Sequence, residues 1–406
     1  MGRIVGLDLA RFVAIVGMMA AHLLVPRADV PYGELNWLTV VTSGYPSAMF
    51  AVIGGFGVFL TSRKYLAQGA RGAAAVNLLV RGFLIAFIGI LLNFLPDHQI
   101  AVILVFFGVA IACSAPLVAL PSWVLATIAA VLPFISTIAG YHLMQHFLAK
   151  TVFDSGSALE ALVVLFFTGY YPVTTWLAYL LIGVLCARFV VGATGPPNLR
   201  TPPNLRTRAL YLALGGATIF ATVQAVSSRV VDQAGSLLAQ QWGMAPEQGL
   251  YAIVTMHRGT PLLPPPMNLA LAAPHSGSPA DVLASASAAI FVTALLIVLT
   301  AGLRVAPWPL RPFAWTGAAP LTIYSLHIIL TASTWTVMGF AAGTWDGTYP
   351  TWFLQEFWIQ LAIVVGVGTL IGALGRRGPL ETFVSKVAAL AAAPVQNADQ
   401  RQLDNA

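Results

Sequence analysis

Long apolar segments alternate with short polar ones along the whole chain, and this alternation gives the main structural prediction. An α-helix needs about 20 mostly apolar residues to cross the hydrocarbon core of a bilayer. About ten segments approach or exceed this length, and they lie near residues 5–26, 39–61, 74–95, 99–119, 123–143, 161–191, 209–226, 285–303, 314–340 and 352–374. The pattern therefore predicts an all-α transmembrane bundle of about ten spans, with both termini on one side.

Lysine and arginine are distributed unevenly between the two sides that these spans define. One side holds only Arg27, Lys150, Arg229 and Arg258 in its loops. Because short cytoplasmic loops are enriched in Lys and Arg, the richer side and both termini are predicted to be cytoplasmic. The expected location is the cell membrane, plasma or inner, with the lipid bilayer as the surrounding partner. The cations on the predicted cytoplasmic side are Arg3, Arg63, Lys64, Arg71, Arg188, Arg200, Arg206, Arg208, Arg304, Arg311, Arg376, Arg377, Lys386 and Arg401.

The segment 158–191 is longer than one span requires and contains the sequence Gly169-Tyr170-Tyr171-Pro172. Proline and the residue before it disfavour a continuous helix, so we expect a short half-helix near 158–170 followed by a full span. Counting that half-helix gives eleven membrane segments. The break either lines a pocket inside the protein or forms a loop at the outer surface.

Two other regions lie outside the predicted spans. The outer loop at about 227–284 is the longest, and it contains Trp242, His257 and Arg258 together with a cluster of prolines. Loops of this length are typically binding lids or disordered segments. Residues 1–386, including this loop, are predicted to form one membrane domain. Residues 387–406 are predicted to form a disordered cytoplasmic tail.

Composition excludes several classes of function. Hydrophobic residues make up 58% of the chain and charged residues 8%, whereas soluble domains are roughly half apolar and a quarter charged. The net charge of +6 is explained by the cytoplasmic loops, so no nucleic-acid partner is expected. Cys113 and Cys186 both lie in apolar runs, and no metal site or disulfide is predicted. Soluble-hydrolase, nucleotide-binding and metalloprotease motifs are absent from the sequence.

Three ionisable side chains, Asp8, Arg11 and His22, interrupt the first apolar segment. At about 3.6 residues per turn, Asp8, Arg11 and His22 lie close to one face of a helix. Charges inside a bilayer are costly unless they face a polar interior or a partner, which favours a buried functional site. The alternative is an Asp8–Arg11 pair near the interface and one histidine held by a structural partner.

The positions of Arg11 and His22 along this helix predict which side of the membrane each one is nearer to. His22 would lie about 28 Å from Arg3, toward the outer leaflet, and Arg11 would lie near the inner leaflet. A cation at the inner end can receive an anionic cytoplasmic ligand. A histidine at the outer end can take a proton from a hydroxyl or amine nucleophile. This arrangement suits group transfer across a membrane.

Other polar residues are candidates for the same site. His327 lies in an apolar segment beside several hydroxyl residues, which either join a site or hydrogen-bond between helices. Arg81 begins the third span, where it either extends to the lipid headgroups or contacts a phosphate group. Arg63, Lys64 and Arg71 in the neighbouring loop would add to a phosphate site, although the charge bias of cytoplasmic loops explains them equally well.

The motif Leu7-Asp8-x-x-Arg11, followed by His22, resembles the first-helix signature of the acyltransferase 3 superfamily, and the phenylalanine-rich run 50–56 resembles the segment that follows it there. The chain is more similar to the YeiB-like membrane proteins and to heparan-alpha-glucosaminide N-acetyltransferase-like proteins. The motifs that carry this closer resemblance are Arg81-Gly-Phe-Leu, Trp315-Thr-Gly-Ala-Ala-Pro-Leu-Thr-Ile-Tyr-Ser-Leu-His327 and Arg377-Gly-Pro-Leu-Glu381.

The resemblance implies an integral-membrane acyltransferase that moves an acyl group, acetyl among the candidates, from cytoplasmic acyl-CoA to an outer glycan or glycolipid. By this resemblance His22 would be the base or a transient acyl carrier, Arg11 would position the donor, and Asp8 would hold Arg11. A homo-oligomer is compatible with the sequence. Two other hypotheses remain, a proton-coupled transporter or flippase and a non-catalytic membrane partner that uses the long outer loop.

Overall fold

The protein is a bundle of α-helices, seen in a computed structural model that describes residues 4–24, 37–95, 100–147, 152–192, 204–257, 259–303, 305–337 and 353–404. Several predicted loop cations, Arg3 and Arg258 among them, lie outside the described residues. No β-strand occurs within these ranges. The described helices are α1 Val5–Leu23, α2 Trp37–Thr42, α3 Tyr45–Leu66, α4 Arg71–Asn93, α5 Leu104–Ser114, α6 Ser122–Leu143, α7 Ala158–Val163, α8 Val173–Val191, α9 Leu205–Ser227, α10 Val231–Trp242, α11 Pro246–Thr255, α12 Met267–Ala270, α13 Pro279–Thr300, α14 Arg311–Gly317, α15 Pro320–Val337, α16 Phe353–Ala373 and α17 Pro379–Asp404.

Eight helices of the described chain are long and apolar enough to cross a bilayer, or nine if the bent pair α14–α15 counts as one span. The predicted all-α multi-pass membrane protein is therefore confirmed. The count of about ten spans and the cytoplasmic termini stay predictions. The eight are Val5–Leu23, Trp37–Leu66, Arg71–Asn93, Ser122–Leu143, Val173–Val191, Leu205–Ser227, Pro279–Thr300 and Gln355–Ala373.

The predicted span 99–119 contains a helix of only 11 residues, α5. It ends at Ser114, whose hydroxyl donates to the carbonyl oxygen of Ile111 at 2.7 Å. Pro116 follows two residues later and cannot donate a helical hydrogen bond, so the helix cannot continue regularly through it. The short α5 is almost wholly buried and packs against α4 and α8.

The predicted break in 158–191 is present. Helix α7 continues as one π-helical stretch, Val164–Thr168, and the chain then leaves the helix before Pro172 starts α8 as its N-cap residue. The segment is thus a short apolar helix followed by a full-length one, as the proline predicted.

Much of the long segment 227–284 is folded, because it contains α10, α11 and α12. These helices surround a small apolar cluster that includes Leu238, Ile253 and Leu271. The segment also packs on the break before α8. A Cβ atom at Gly259 would collide with the carbonyl oxygen of Gly169.

The prediction of a disordered tail at 387–406 is wrong for the residues described, because α17 continues to Asp404. Residues 388–393 are five alanines and one leucine, which are strong helix formers. Ala388 and Ala392 are fully buried, and α17 packs along α4. Asp399 accepts a hydrogen bond at 3.2 Å from the backbone nitrogen of Ala73, in the first turn of α4.

Helix α1 lies at the centre of the bundle and contacts α3, α13, α14, α15 and α16. Glycines allow the closest approaches. The backbone of α13 lies where a Cβ of Gly6 would be, and the backbone of Asp8 and Phe12 lies where a Cβ of Gly317 would be. Small residues let membrane helices approach in this way when no hydrophobic effect drives them together.

The axes of α14 and α15 bend by 78° between Gly317 and Pro320. Glu381, at the start of α17, stabilises the bend. Its carboxylate accepts hydrogen bonds from the backbone nitrogens of Leu321 at 2.6 Å and Thr322 at 3.1 Å. A carboxylate at a helix N-terminus satisfies free N–H groups and interacts favourably with the helix dipole.

The close contact of α1 with α14 leads to a prediction for stability. Gly317→Ala should lower the free energy of unfolding by about 1–3 kcal/mol, because the added methyl group has no space beside Asp8 and Phe12. Gly366→Ala is the matched control, since it adds the same methyl group to α16 where nothing lies within 4 Å. Thermal unfolding in detergent would measure both variants, and equal midpoints would contradict this packing.

Candidate functional site

Two histidines from different helices face each other at the C-terminal end of α1. His22 Nδ1 on α1 lies 3.1 Å from His327 Nε2 on α15. Their ring planes are nearly parallel, 2° apart, with centroids 5.4 Å apart, so the two rings meet edge to edge through these nitrogen atoms. The structure thus brings together the two histidines singled out in the sequence, 305 residues apart.

His327 is buried, with 1% of its surface exposed, and it is held from the other side by α16. Its Nδ1 lies 2.7 Å from Gln360 Oε1. Gln360 Nε2 in turn donates to Glu356 Oε1 at 2.9 Å and to Thr331 Oγ1 at 3.3 Å. Sequence reasoning missed Glu356 and Gln360. The sequence does contain a sign of them. Two polar residues four positions apart lie on one face of a helix, and these two fall within the last predicted span.

His22 is partly exposed and lines a small cavity of about 40 Å³. His275 and Tyr171 also line this cavity, with their ring centroids 6.1 Å apart. His275 comes from the long segment between α9 and α13, and its backbone is left-handed, with φ 61°. Burial lowers the pKa of His275 to about 4, so it is neutral at neutral pH. The long segment therefore contributes directly to the site.

The sequence analysis named His257 in that segment without giving it a role, and it missed His275. His257 is buried, and its Nδ1 lies 3.1 Å from the carbonyl oxygen of Thr260. The two histidines have similar local composition around them. Only the path of the loop between Gly259 and Gly277 decides which one reaches the cavity.

A second small cavity of about 20 Å³ adjoins the first and shares Ser47 and His275 with it. Asp281, at the start of α13, lines it and is 3% exposed. The carboxylate of Asp281 accepts hydrogen bonds at 3.0 Å from the backbone nitrogen of Gly277 and from the hydroxyl of Ser285. This buried carboxylate lines the same cavity as His275, and no sequence pattern distinguishes it from the other acidic residues of the loops.

A larger cavity of about 330 Å³ lies at the other end of α1. Three guanidinium groups line it, from Arg11, Arg81 and Arg377. Asp8 Oδ1 holds Arg11 at 2.9 Å. Arg81 donates to the side chains of Asn77 at 3.1 Å and Ser385 at 3.0 Å. The remaining lining is mainly apolar and includes Phe50, Ile53, Leu104, Phe107 and Ile111.

The predicted phosphate contacts divide into two groups. Arg81 lines the larger cavity together with Arg11, whereas Arg63, Lys64 and Arg71 are not among the described residues that line it. Arg63 is buried in α3, the ammonium group of Lys64 lies 4.4 Å from the ring centroid of Tyr65, and Arg71 is exposed at the start of α4. Arg377, which was not among the predicted contacts, lines the cavity instead.

A pair of neighbouring aromatic rings links the linings of the two cavities. Phe50 lines the larger cavity and Tyr324 lines the small one, with their ring centroids 6.2 Å apart. Tyr324 is buried and accepts a hydrogen bond at 3.4 Å from the backbone nitrogen of Ile103. Along α1 itself, Arg11 and His22 are about 16 Å apart. One helix therefore connects an arginine-lined cavity with a histidine-lined one.

Within the described ranges, no group of three His, Cys, Asp or Glu side chains is arranged to hold a metal ion. Cys113 and Cys186 are both free thiols. The polar chemistry that the structure places at the site thus comes from imidazole, guanidinium, carboxylate and hydroxyl groups.

A comparison with known proteins identifies the family. The model of the heparan-alpha-glucosaminide N-acetyltransferase catalytic family matches residues 3–228, which is more than half of the chain and includes Asp8, Arg11, His22 and Arg81. No curated protein matches the chain. The resemblances to YeiB-like proteins and to the acyltransferase 3 superfamily stay predictions. The chain belongs to the heparan-alpha-glucosaminide N-acetyltransferase-like family, and its function is that of a membrane acetyltransferase-like protein.

Proposed function

We propose that the protein transfers an acyl group, most simply acetyl, from acyl-CoA in the larger cavity to an acceptor that reaches His22. One observation carries this proposal. Helix α1 presents Arg11 to an arginine-lined cavity and His22 to a histidine-lined one, and the contacting rings of Phe50 and Tyr324 lie between them. Binding of an anionic donor and proton transfer from a nucleophile need these two environments.

The larger cavity suits the donor. Guanidinium groups bind phosphate oxygens with charge-assisted, often bidentate hydrogen bonds, so Arg11, Arg81 and Arg377 are expected to contact the phosphates of CoA. The apolar walls suit the pantetheine arm. A volume of about 330 Å³ is at the lower end for a ligand site, so part of the CoA would lie outside the cavity. The predicted topology makes this end cytoplasmic, where acyl-CoA is available.

The proposed reaction uses one basic nitrogen. A hydroxyl or amine of the acceptor attacks the thioester carbonyl carbon, and His22 Nε2 takes the proton that the nucleophile loses. The carbon–sulfur bond breaks, and the CoA thiolate receives that proton from His22. In the alternative route His22 Nε2 attacks the thioester itself, carries the acyl group, and passes it to the acceptor. Both routes end with acylated acceptor, free CoA thiol and neutral His22.

The proposed acceptor is an outer glycan or glycolipid of the cell envelope, and the cell membrane is the proposed location. His275 and Ser47 offer a neutral imidazole and a hydroxyl in the cavity of His22, and Asp281 offers a carboxyl group in the adjoining cavity. Such groups hydrogen-bond sugar hydroxyl or amino groups. The cavity of about 40 Å³ has room for the reacting group of an acceptor. The rest of a glycan would require the segment between α9 and α13 to shift.

A proton-coupled transporter is the second candidate, and the hydrogen-bonded pair His22–His327 is the observation that favours it. Histidines inside a membrane also form proton relays in pumps and carriers. The two functions differ in what they require, since a transporter moves a solute without consuming acyl-CoA.

His22→Ala should reduce acyl transfer at least about 100-fold, because general acid–base catalysis contributes at least this much. The measurement is release of CoA thiol and acylated product by purified protein in nanodiscs, with acetyl-CoA and a membrane glycan fraction. The control is His142→Ala, which removes an exposed histidine of α6. Unchanged turnover in His22→Ala would refute the proposal. Proton-driven solute uptake lost in the same variant, with no acyl-CoA consumed, would establish the transporter instead.

Arg377→Met should raise the KM for acetyl-CoA about tenfold or more, because one charge-assisted hydrogen bond contributes about 1.5–3 kcal/mol. The matched control is Arg376→Met, the exposed neighbour that does not line the cavity. Titration calorimetry with CoA would show whether binding changes. Equal CoA affinity in the two variants would show that CoA does not bind against Arg377 in the larger cavity.

A further inference from the structure

A chain of hydrogen bonds links His22 through His327 to Gln360 and Glu356. The donor and acceptor at each step can be assigned, starting from the amide group of Gln360. Its nitrogen lies 2.9 Å from Glu356 Oε1. The amide nitrogen of Gln360 faces Glu356, and the ionised form of that carboxyl group requires this orientation, because a carboxylate accepts hydrogen bonds and cannot donate them. The amide oxygen of Gln360 therefore faces the opposite way, toward His327. Both Glu356 and Gln360 are buried, with 5% and 2% of their surfaces exposed.

This orientation determines where His327 carries its proton. The distance of 2.7 Å between His327 Nδ1 and Gln360 Oε1 is a short hydrogen bond. Since a carbonyl oxygen only accepts, Nδ1 must carry the hydrogen. A neutral imidazole has a single N–H, so His327 Nε2 is left with a lone pair. That lone pair faces His22 Nδ1 at 3.1 Å.

The tautomer of His22 follows from that of His327. Because His327 Nε2 is an acceptor, His22 Nδ1 must donate to it and must carry the proton of that ring. His22 Nε2 is then unprotonated. The side chain of His22 lines the cavity that also contains His275 and Tyr171, so its lone pair is available to a molecule that enters there.

We propose that Glu356, Gln360 and His327 act as positioning residues that hold His22 as the tautomer protonated on Nδ1, with Nε2 free to act as base or nucleophile. This inference rests on the proposed function of His22. It adds the reason why this histidine, and not its buried partner, performs the chemistry. Glu356 and Gln360 touch neither donor nor acceptor. They act through the ring of His327.

The hydrogen-bond chain also supports the charged intermediate of the reaction. When His22 Nε2 takes a proton from the acceptor, the imidazolium keeps its Nδ1–H bonded to His327 Nε2. No proton has to leave Nδ1, because the proton on Nε2 is the one later given to the CoA thiolate. The dipoles of His327 and Gln360 point their negative ends toward His22, and they end at the carboxylate of Glu356. A preorganised arrangement of this kind stabilises developing positive charge without reorganisation.

The kinetic test is Gln360→Met, which keeps the length of the side chain and removes the amide. We expect kcat to fall about 10- to 100-fold, as is usual when a group that orients a functional histidine is removed. The KM for acetyl-CoA should not change, because the larger cavity is untouched. Gln355→Met is the matched control on the exposed side of α16. Gln360→Glu should restore part of kcat, since its carboxylate oxygen can accept from His327 Nδ1.

The direct test is nitrogen-15 solid-state NMR of histidine-labelled wild-type protein in lipid, with His22 assigned from the signals lost in His22→Ala. We expect His22 to show a protonated Nδ1 and an unprotonated Nε2. A protonated Nε2 on His22 would overturn the inference, because His327 would then be an imidazolium that donates to His22. A kcat in Gln360→Met equal to wild type would also overturn it.

These outcomes separate the inference from the proposed function. The NMR measurement needs no turnover, so it tests the tautomer even if the protein transfers no acyl group. If His22→Ala is inactive and Gln360→Met is fully active, the proposed acyltransferase function is supported and the positioning role of Gln360 is refuted. If Gln360→Met does not fold, Glu356→Gln is the second variant. It leaves the amide of Gln360 without a fixed orientation, and kcat should again fall while KM stays constant.

Discussion

An ionisable side chain inside a bilayer must find a partner or a polar cavity within the protein, and α1 carries three of them. Arg11 is bonded to Asp8 and faces the larger cavity, and His22 is bonded to His327 beside the small one. These requirements place α1 in the middle of the bundle, in contact with helices on several sides. Gly6 and Gly317 make that position possible, because neighbouring backbones occupy the space of their missing side chains.

The central position of α1 also explains why the site has two ends. One helix cannot bring Arg11 and His22 together, since the rise of about 1.5 Å per residue keeps them apart. The other walls are built by helices that end or bend at this depth. Helix α5 starts at Leu104, and the bend held by Glu381 starts α15, which then carries both Tyr324 and His327. The start of α5 and the bend before α15 thus lie where they line the two cavities, as expected for irregular backbone in a membrane protein.

Hydropathy predicted the all-α bundle and the break before α8, because both depend on segment length and on proline. The charged positions of α1 predicted the centre of the site for a similar reason, the cost of burying charge in a membrane. Other residues depended on contacts between distant segments. Gln360 and His275 reach the site only through the packing of α16 and the path of the loop before α13. Helix α17 was missed because its alanines face α4, a contact that a hydropathy average of the tail does not show.

The central claim is that α1 joins a donor cavity to an acceptor cavity. The most direct measurement is a cryo-EM structure in lipid nanodiscs with a non-hydrolysable acetyl-CoA analogue. We expect phosphate density beside Arg11, Arg81 and Arg377, and the acyl end of the analogue past Phe50, within reach of His22 Nε2. Density for the analogue at another surface, or with its acyl end directed away from His22, would contradict the account.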